Sequence, residues 1–404
     1  MINLCPREDC TGCMACRQKC GFGAIHTEVV DGFDYPVIDA GKCTECGNCV
    51  KACPVLNKSQ SAGVTHHSGE PCVAAWNKDI AVRKQSSSGG VFSAFANKVI
   101  SDGGVVFGAT FDDGLKLHHA GIDSLSQLDS LRRSKYVQSD PLDTFNEVRR
   151  HLQDGRKVLY CGTPCQIAGL RSFLGKTEAS SLLCVDVLCQ GVPSPYLFKQ
   201  YIDEVESDTG IKVEDCNFRS KKYGWRCGLL LLLLSGHKDG RKRELTRILD
   251  KNVFYNSFIK EYFMRPSCYR CIFKNDHQGY YGDITLADFW RIGSNIPLKV
   301  SNYEMGISAV VVNTNKGREF LAECSSQLEM IDRTWDEFAT NDGLRRSHKP
   351  SGNDEALKYL EHHSWEETQN RFFPLTRRKK AVTLLKLLLG ERNLMKLKKF
   401  LRRK

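Results

Sequence analysis

One cysteine spacing occurs twice in the first sixty residues, and this repeat limits what the chain can be. Cys10, Cys13, Cys16 and Cys20 follow C-x2-C-x2-C-x3-C; Cys43, Cys46, Cys49 and Cys53 follow it again, with Pro54 next. Three thiolates at successive x2 intervals sit in one tight loop and reach three irons of a cubane. The fourth, at x3, reaches across to the neighbouring cluster when two halves pack around a pseudo-twofold axis. The spacing predicts two 4Fe-4S clusters, one on Cys10, Cys13, Cys16 and Cys53, the other on Cys43, Cys46, Cys49 and Cys20. A zinc ribbon also uses CxxC pairs, but it has no use for a cysteine triple closed by a fourth, twice over. Gly21 follows Cys20 where proline is usual, which loosens that turn and leaves the ligand set intact.

Nineteen cysteines in 404 residues is a high count. The first residues lack the apolar stretch of a secretory signal, so a reducing, cytoplasmic setting is expected, with thiols serving as metal ligands or small buried hydrophobes. The longest apolar run, Leu229 to Leu234, is far short of the ~20 residues that cross a bilayer, and reads as a strand buried on both faces. With 41% hydrophobic and 26% charged residues the composition is that of an ordinary globular protein. The net charge of +11 is not spread over the chain. From Arg377 to Lys404 stand twelve Lys/Arg and one acid, Glu391, so the remainder is neutral. That distribution excludes a generally nucleic-acid-coating protein.

The expected organisation is a 2×4Fe-4S ferredoxin domain over 1–58, a Ser/Gly/His-rich linker over 59–71, a core in two parts (72–150 and 151–375), and a basic tail over 376–404. Short apolar runs alternate with helical stretches after residue 72. Strands are expected at Val73–Trp76, Val105–Gly108, Lys157–Tyr160, Leu182–Leu188 and Ile307–Val312. Helices are expected at Val91–Ile100, Leu142–Leu152, Ile167–Phe173, Tyr196–Val205, Phe254–Phe263 and Lys316–Met330. The fold class is thus an α+β ferredoxin-like two-cluster module followed by an α/β core, with a helical tail. Two turns open helices in that core. Ser86-Ser87-Ser88-Gly89-Gly90 suits either a phosphate or a simple N-cap. Gly162-Thr163-Pro164-Cys165-Gln166 follows an apolar strand, at the crevice where α/β proteins bind ligands. GxGxxG and P-loop patterns are absent. Further on, Cys189 lies in Leu-Cys-Gln-Gly, and Cys268 and Cys271 form a CxxC. Spacing alone does not make these a site. Cys72, Cys161, Cys184, Cys216, Cys227 and Cys324 read as inert buried thiols.

Seven stretches occur in an order that resembles the coenzyme F420 hydrogenase/dehydrogenase beta-subunit family: Ser86–Gly90, Ser134–Val137, Gly162–Gln166, Cys189–Ser194, Arg219–Trp225, Arg265–Lys274 and Asp283–Trp290. The resemblance spans about residues 72 to 315. It implies a core that binds FAD and a third 4Fe-4S cluster, with Cys165, Cys189, Cys268 and Cys271 as its cysteines. Candidate flavin contacts are Ser88, Gly89, Gly90, Lys135, Gly162 and Thr163, with Lys135 placed to stabilise anionic reduced flavin or else exposed on a turn. Gln190 stands where the family often has His, and Ala287 where Gly is usual before Asp-Phe-Trp.

The resemblance implies an FAD- and 4Fe-4S-dependent oxidoreductase. Clusters pass one electron at a time, organic substrates take hydride, and flavin converts between them. Expected partners are a redox protein or ferredoxin and an organic hydride donor or acceptor, coenzyme F420 among them. The competing reading is a non-catalytic ferredoxin-type electron-transfer subunit of a larger redox complex. In the tail, Leu384, Leu385, Leu388, Leu394, Leu397 and Leu401 interleave with basic residues at near-helical spacing. Such a helix suits an anionic membrane surface, here the inner face, or a docked partner, or solvent. Nucleic acid is not an expected partner.

Overall fold

The computed structural model describes residues 2–57, 70–175, 180–225, 232–274, 280–290, 292–293 and 303–389. Most of the expected linker, Cys227, Leu229 to Leu231 and the tail beyond Leu389 lie outside these described residues. In the N-terminal module, β1 (Ile25–Val30) and β2 (Phe33–Ile38) pair antiparallel across Asp31-Gly32. Both turn residues take positive φ, 49° and 72°, the backbone that an Asp-Gly hairpin turn supplies. Short helices Ala15–Lys19 and Asn48–Lys51 carry the ends of the two cysteine runs.

The core is one eight-stranded mixed sheet. Its strands are β3 (Pro71–Asn77), β4 (Val105–Phe111), β5 (Leu117–Ile122), β6 (Val158–Gly162), β7 (Leu182–Val187), β11 (Ile284–Asp288), β12 (Ser308–Val312) and β13 (Leu328–Thr334), in the order β13-β3-β12-β11-β7-β6-β4-β5. Between β7 and β11 the chain forms a separate antiparallel sheet of β8 (Lys212–Asn217), β9 (Leu232–Lys238) and β10 (Arg241–Arg247). The centre of the large sheet, β11-β7-β6-β4, is parallel throughout, and parallel strands are covered on both faces. Alternation along the strands shows how. Val105, Phe107, Tyr160, Leu182 and Cys184 turn to helices Thr144–Gln153 and Pro164–Leu174. Val106, Leu159, Leu183 and Val185 turn to helices Val91–Ser101 and Asn315–Glu323. The N-terminal module packs on the first pair, with Cys13, Ala15 and Ala52 inside that apolar cluster.

Three expected elements are corrected. The helix read over Lys316–Met330 stops at Glu323, turns at Cys324–Gln327, and becomes β13. Pairing with β3 over seven residues decides this, and helical periodicity cannot register such a partner. The helix read over Phe254–Phe263 ends at Ile259, and Glu261 and Phe263 take positive φ. The described part of the leucine run alternates: Leu232 and Leu234 are buried and Leu233 is half-buried, because β9 lies in a sheet with one covered face.

Candidate functional site

The buried N-terminal thiols feel mainly two sets of neighbours, with Cys16 also feeling Cys49 across them. Cys13 is pushed up by burial and by its neighbours Cys16, Cys53 and Cys10. Cys16 goes up to about 12, again by burial and then by Cys10 and Cys53. Cys49 is raised by burial and feels Cys20 and Cys43. Cys46 is exposed. Packed this closely, such thiols release their protons together when a cation takes the protons' place, so the donor set fits iron–sulfur clusters. Cys5 stands at the first set: its thiol hydrogen-bonds Cys53, which is drawn down to about 6 while Cys5 itself is raised.

The core thiols form a third neighbourhood from three distant segments. Cys268 is raised by burial, then by Cys189, Cys271 and Cys165. Cys165 is raised by burial, by Cys189 and Cys271, and by Cys13 of the N-terminal module, while Thr163 Oγ1 lies 3.2 Å from its sulfur. The two modules meet here. Gly169, one turn beyond Cys165, lets Cys13 approach so closely that a Cβ there would lie 3.0 Å from Cys13 Sγ. Among the described residues, no three Cys, His, Asp or Glu converge as they would on a single metal ion. A cubane spreads its thiolates over separate iron corners.

A cleft of about 820 Å³ opens at the C-terminal ends of the parallel strands, the ligand crevice of α/β sheets. Cys165 and Cys189 line it, as do Ser88, Gly90, Lys135, Gly162 and Thr163. Gly89 stands behind the wall: its N–H donates to Ser308 Oγ at 3.0 Å, and a Cβ there would run into the Ala75 carbonyl oxygen. The two expected turns differ. Thr163 and Gln166 form a capping box that consumes the first donors of helix Pro164–Leu174. Helix Val91–Ser101 starts from Gly90, at φ 84°, with no side-chain cap, and its first residues line the cleft. Its first-turn N–H groups are the better cradle for an anion.

Lys135 is not a free surface lysine. Its Nζ donates to the carbonyls of Arg132 (2.7 Å), Ser130 (3.2 Å) and Arg133 (3.4 Å), and burial lowers it to about 7. Sequence reasoning gave no role to several residues that line the wall or stand behind it, because their partners are far away along the chain. Lys221 Nζ ties the Ser86–Gly90 turn to the carbonyls of Ser88 (2.5 Å), Met305 (2.6 Å) and Arg83 (2.7 Å), and burial lowers it to about 7. Arg219 pairs with Asp288 at 2.7 Å, bonds Tyr136 at 3.0 Å, and lies over Trp290. His119 is buried, stacks on Tyr160, and is lowered to about 4 by burial. Its Nε2 lies 3.1 Å from Cys161 carbonyl oxygen, which only accepts, so Nε2 carries the proton. Cys161, expected to be inert, lines the cleft.

Residues 155–334 match a family model for the C terminus of the coenzyme F420 hydrogenase/dehydrogenase beta subunit. Two models of 4Fe-4S dicluster domains match residues 9–57 and 35–90. The chain carries the C-terminal domain of the coenzyme F420 hydrogenase/dehydrogenase beta-subunit family, with 4Fe-4S dicluster domains at its N-terminus. It is an iron–sulfur protein with a ferredoxin-like dicluster region ahead of the mixed-sheet core. Among solved structures, it is similar to a chain of the F420-reducing [NiFe] hydrogenase complex from Methanosarcina barkeri, studied by xenon derivatization. The two share 17% identity, with 67% of this chain and 83% of that chain covered and a TM-score of 0.45. No curated protein matches. Among the described residues, no helix is long and apolar enough to cross a membrane.

Proposed function

We propose that this chain is an FAD-dependent oxidoreductase that moves single electrons through three 4Fe-4S clusters and exchanges hydride with an organic substrate, coenzyme F420 being one candidate. The observation that carries the reading is the cleft wall, where Cys165 and Cys189 stand beside the uncapped start of helix Val91–Ser101 and the carbonyl-held Lys135. FAD, bound there, would supply the conversion between one-electron and hydride chemistry. Gly90 and the first turn of the helix would hold a phosphate, with Lys221 fixing the turn from behind. Lys135 would place a positive charge against an anionic ring. Cys10, Cys13, Cys16 and Cys53 would hold the inner cluster, against the core; Cys20, Cys43, Cys46 and Cys49 the outer one, with Cys46 at the surface. Cys165, Cys189, Cys268 and Cys271 would hold the third.

Iron and acid-released flavin per chain, on protein purified without oxygen, test this. About twelve irons and one FAD are expected. About eight irons without flavin would leave a two-cluster electron carrier and overturn the hydride chemistry.

A further inference from the structure

Arg265 lies between two cysteine neighbourhoods and is 1% exposed. Its Nε donates to Cys10 carbonyl oxygen at 2.6 Å and its Nη1 to Gln138 Oε1 at 2.9 Å. Nη2 donates to Asp34 carbonyl oxygen at 3.0 Å and to Cys10 Sγ at 3.7 Å. The guanidinium also lies 4.2 Å from the Tyr35 ring centroid. Gly12, at φ 69°, makes room for it, since a Cβ there would sit 2.7 Å from Nη1. On the other side, Arg265 carbonyl oxygen accepts from Cys268 N–H at 2.8 Å. One residue thus joins the loop of Cys10 to the loop of Cys268.

Among the described residues, no carboxylate pairs with this guanidinium. Arginine does not shed its proton, and burying its charge among neutral carbonyls and ring faces alone is strongly unfavourable. Nη2 points at Cys10 Sγ, where the ligand sulfur of a bound cluster would supply a counter-charge. A 4Fe-4S cluster on four thiolates is an anion, and gains one more negative charge on reduction. A cation donating to a ligand sulfur therefore favours the reduced state.

We propose that Arg265 is a positioning residue that raises the reduction potential of the Cys10–Cys13–Cys16–Cys53 cluster, drawing electrons inward from the exposed cluster, and fixes that cluster's loop against the Cys268 turn. This rests on the assignment of those four cysteines to one cluster. In the outer group the sulfur of Cys20 takes its hydrogen bond from a neutral backbone donor, Ala24 N–H at 3.3 Å.

The test is an EPR-monitored redox titration of the full chain and its Arg265→Gln and Arg265→Lys variants, each with iron counted. Arg265→Gln is expected to lower one midpoint of the dicluster pair and leave the other in place. Arg265→Lys keeps the charge and is expected to restore part of that shift. Unmoved midpoints at full iron content overturn the proposal. Should both variants lose iron, wild-type protein labelled with 15N-arginine decides: a nitrogen hyperfine coupling on one cluster of the pair supports the role, and its absence overturns it. Wild-type protein without any 4Fe-4S signal would instead overturn the cluster assignment itself.

Discussion

At the residue scale, what a side chain does here depends on partners that the sequence does not place beside it. Lys135 reads in sequence as either a flavin contact or a loose turn lysine. The structure gives its ammonium three carbonyls, and burial, aided by Arg133, lowers it to about 7 against the weaker pull of Asp215, Cys161 and Asp129. A lysine lowered on folding releases a proton that the unfolded chain keeps. Between pH 7 and its ordinary value near 10.5, stability therefore rises with pH on its account. A bound anion reverses the preference at the site by holding the lysine charged. FAD binding above pH 7 should then take up a proton, and affinity should fall by up to about tenfold per pH unit from 7 to 9. Lys135→Met should bind more weakly and lose that slope; fluorescence titration at three pH values reads both. An equal slope in Lys135→Met would assign the proton elsewhere. Arg219 and Lys221 illustrate the limit of sequence reading: their partners Asp288 and Ser88 lie 69 and 133 residues away.

At the scale of elements, the legible parts are those whose signal is local. The apolar strands at Val105, Lys157 and Leu182 declare themselves, because a parallel centre is buried on both faces and needs continuous hydrophobic runs. β13 does not, because an edge strand is defined by its partner β3. Helix Pro164–Leu174 combines both cases. Its Thr-Pro start and capping box are visible in Gly162–Gln166, whereas the use of Gly169 as the seat of Cys13 emerges only once the modules are packed. A substitution there separates helix stability from cluster assembly. Gly169→Ala adds a Cβ at tight contact, while its better helix propensity is worth about 1 kcal/mol in the opposite direction. Gly169→Leu must displace Cys13 or Phe145. The expected outcome is near-normal iron in Gly169→Ala and a loss of about four irons per chain in Gly169→Leu, with circular dichroism largely retained. Full iron in Gly169→Leu would remove this contact from cluster assembly.

At the scale of the whole molecule, the described part of the basic tail, up to Leu389, touches the core in a way that composition does not reveal. Charge and leucine spacing alone leave membrane, partner and solvent open. The helix Arg377–Leu389 begins at the mouth of the cleft, where Leu375, Lys379 and Thr383 contribute to the lining and Lys380 pairs with Asp250 at 2.6 Å. On its outer side Leu384, Leu385, Leu388 and Leu389 are exposed, Leu388 to 81%. A surface ion pair of this kind holds a helix by about 1 kcal/mol or less, and breaking it is expected to leave the core folded. Removing residues 377–404 should therefore leave the main thermal transition within about 2 °C, since little core area is lost. It should also speed the release of a cleft-bound cofactor several-fold, because that wall is gone. Stopped-flow dilution of flavin-loaded protein measures the second effect. Asp250→Lys, which sets like charges against each other at the first turn of the helix, should reproduce part of it in the full-length chain. Unchanged release from both variants would show that the helix does not close the cleft.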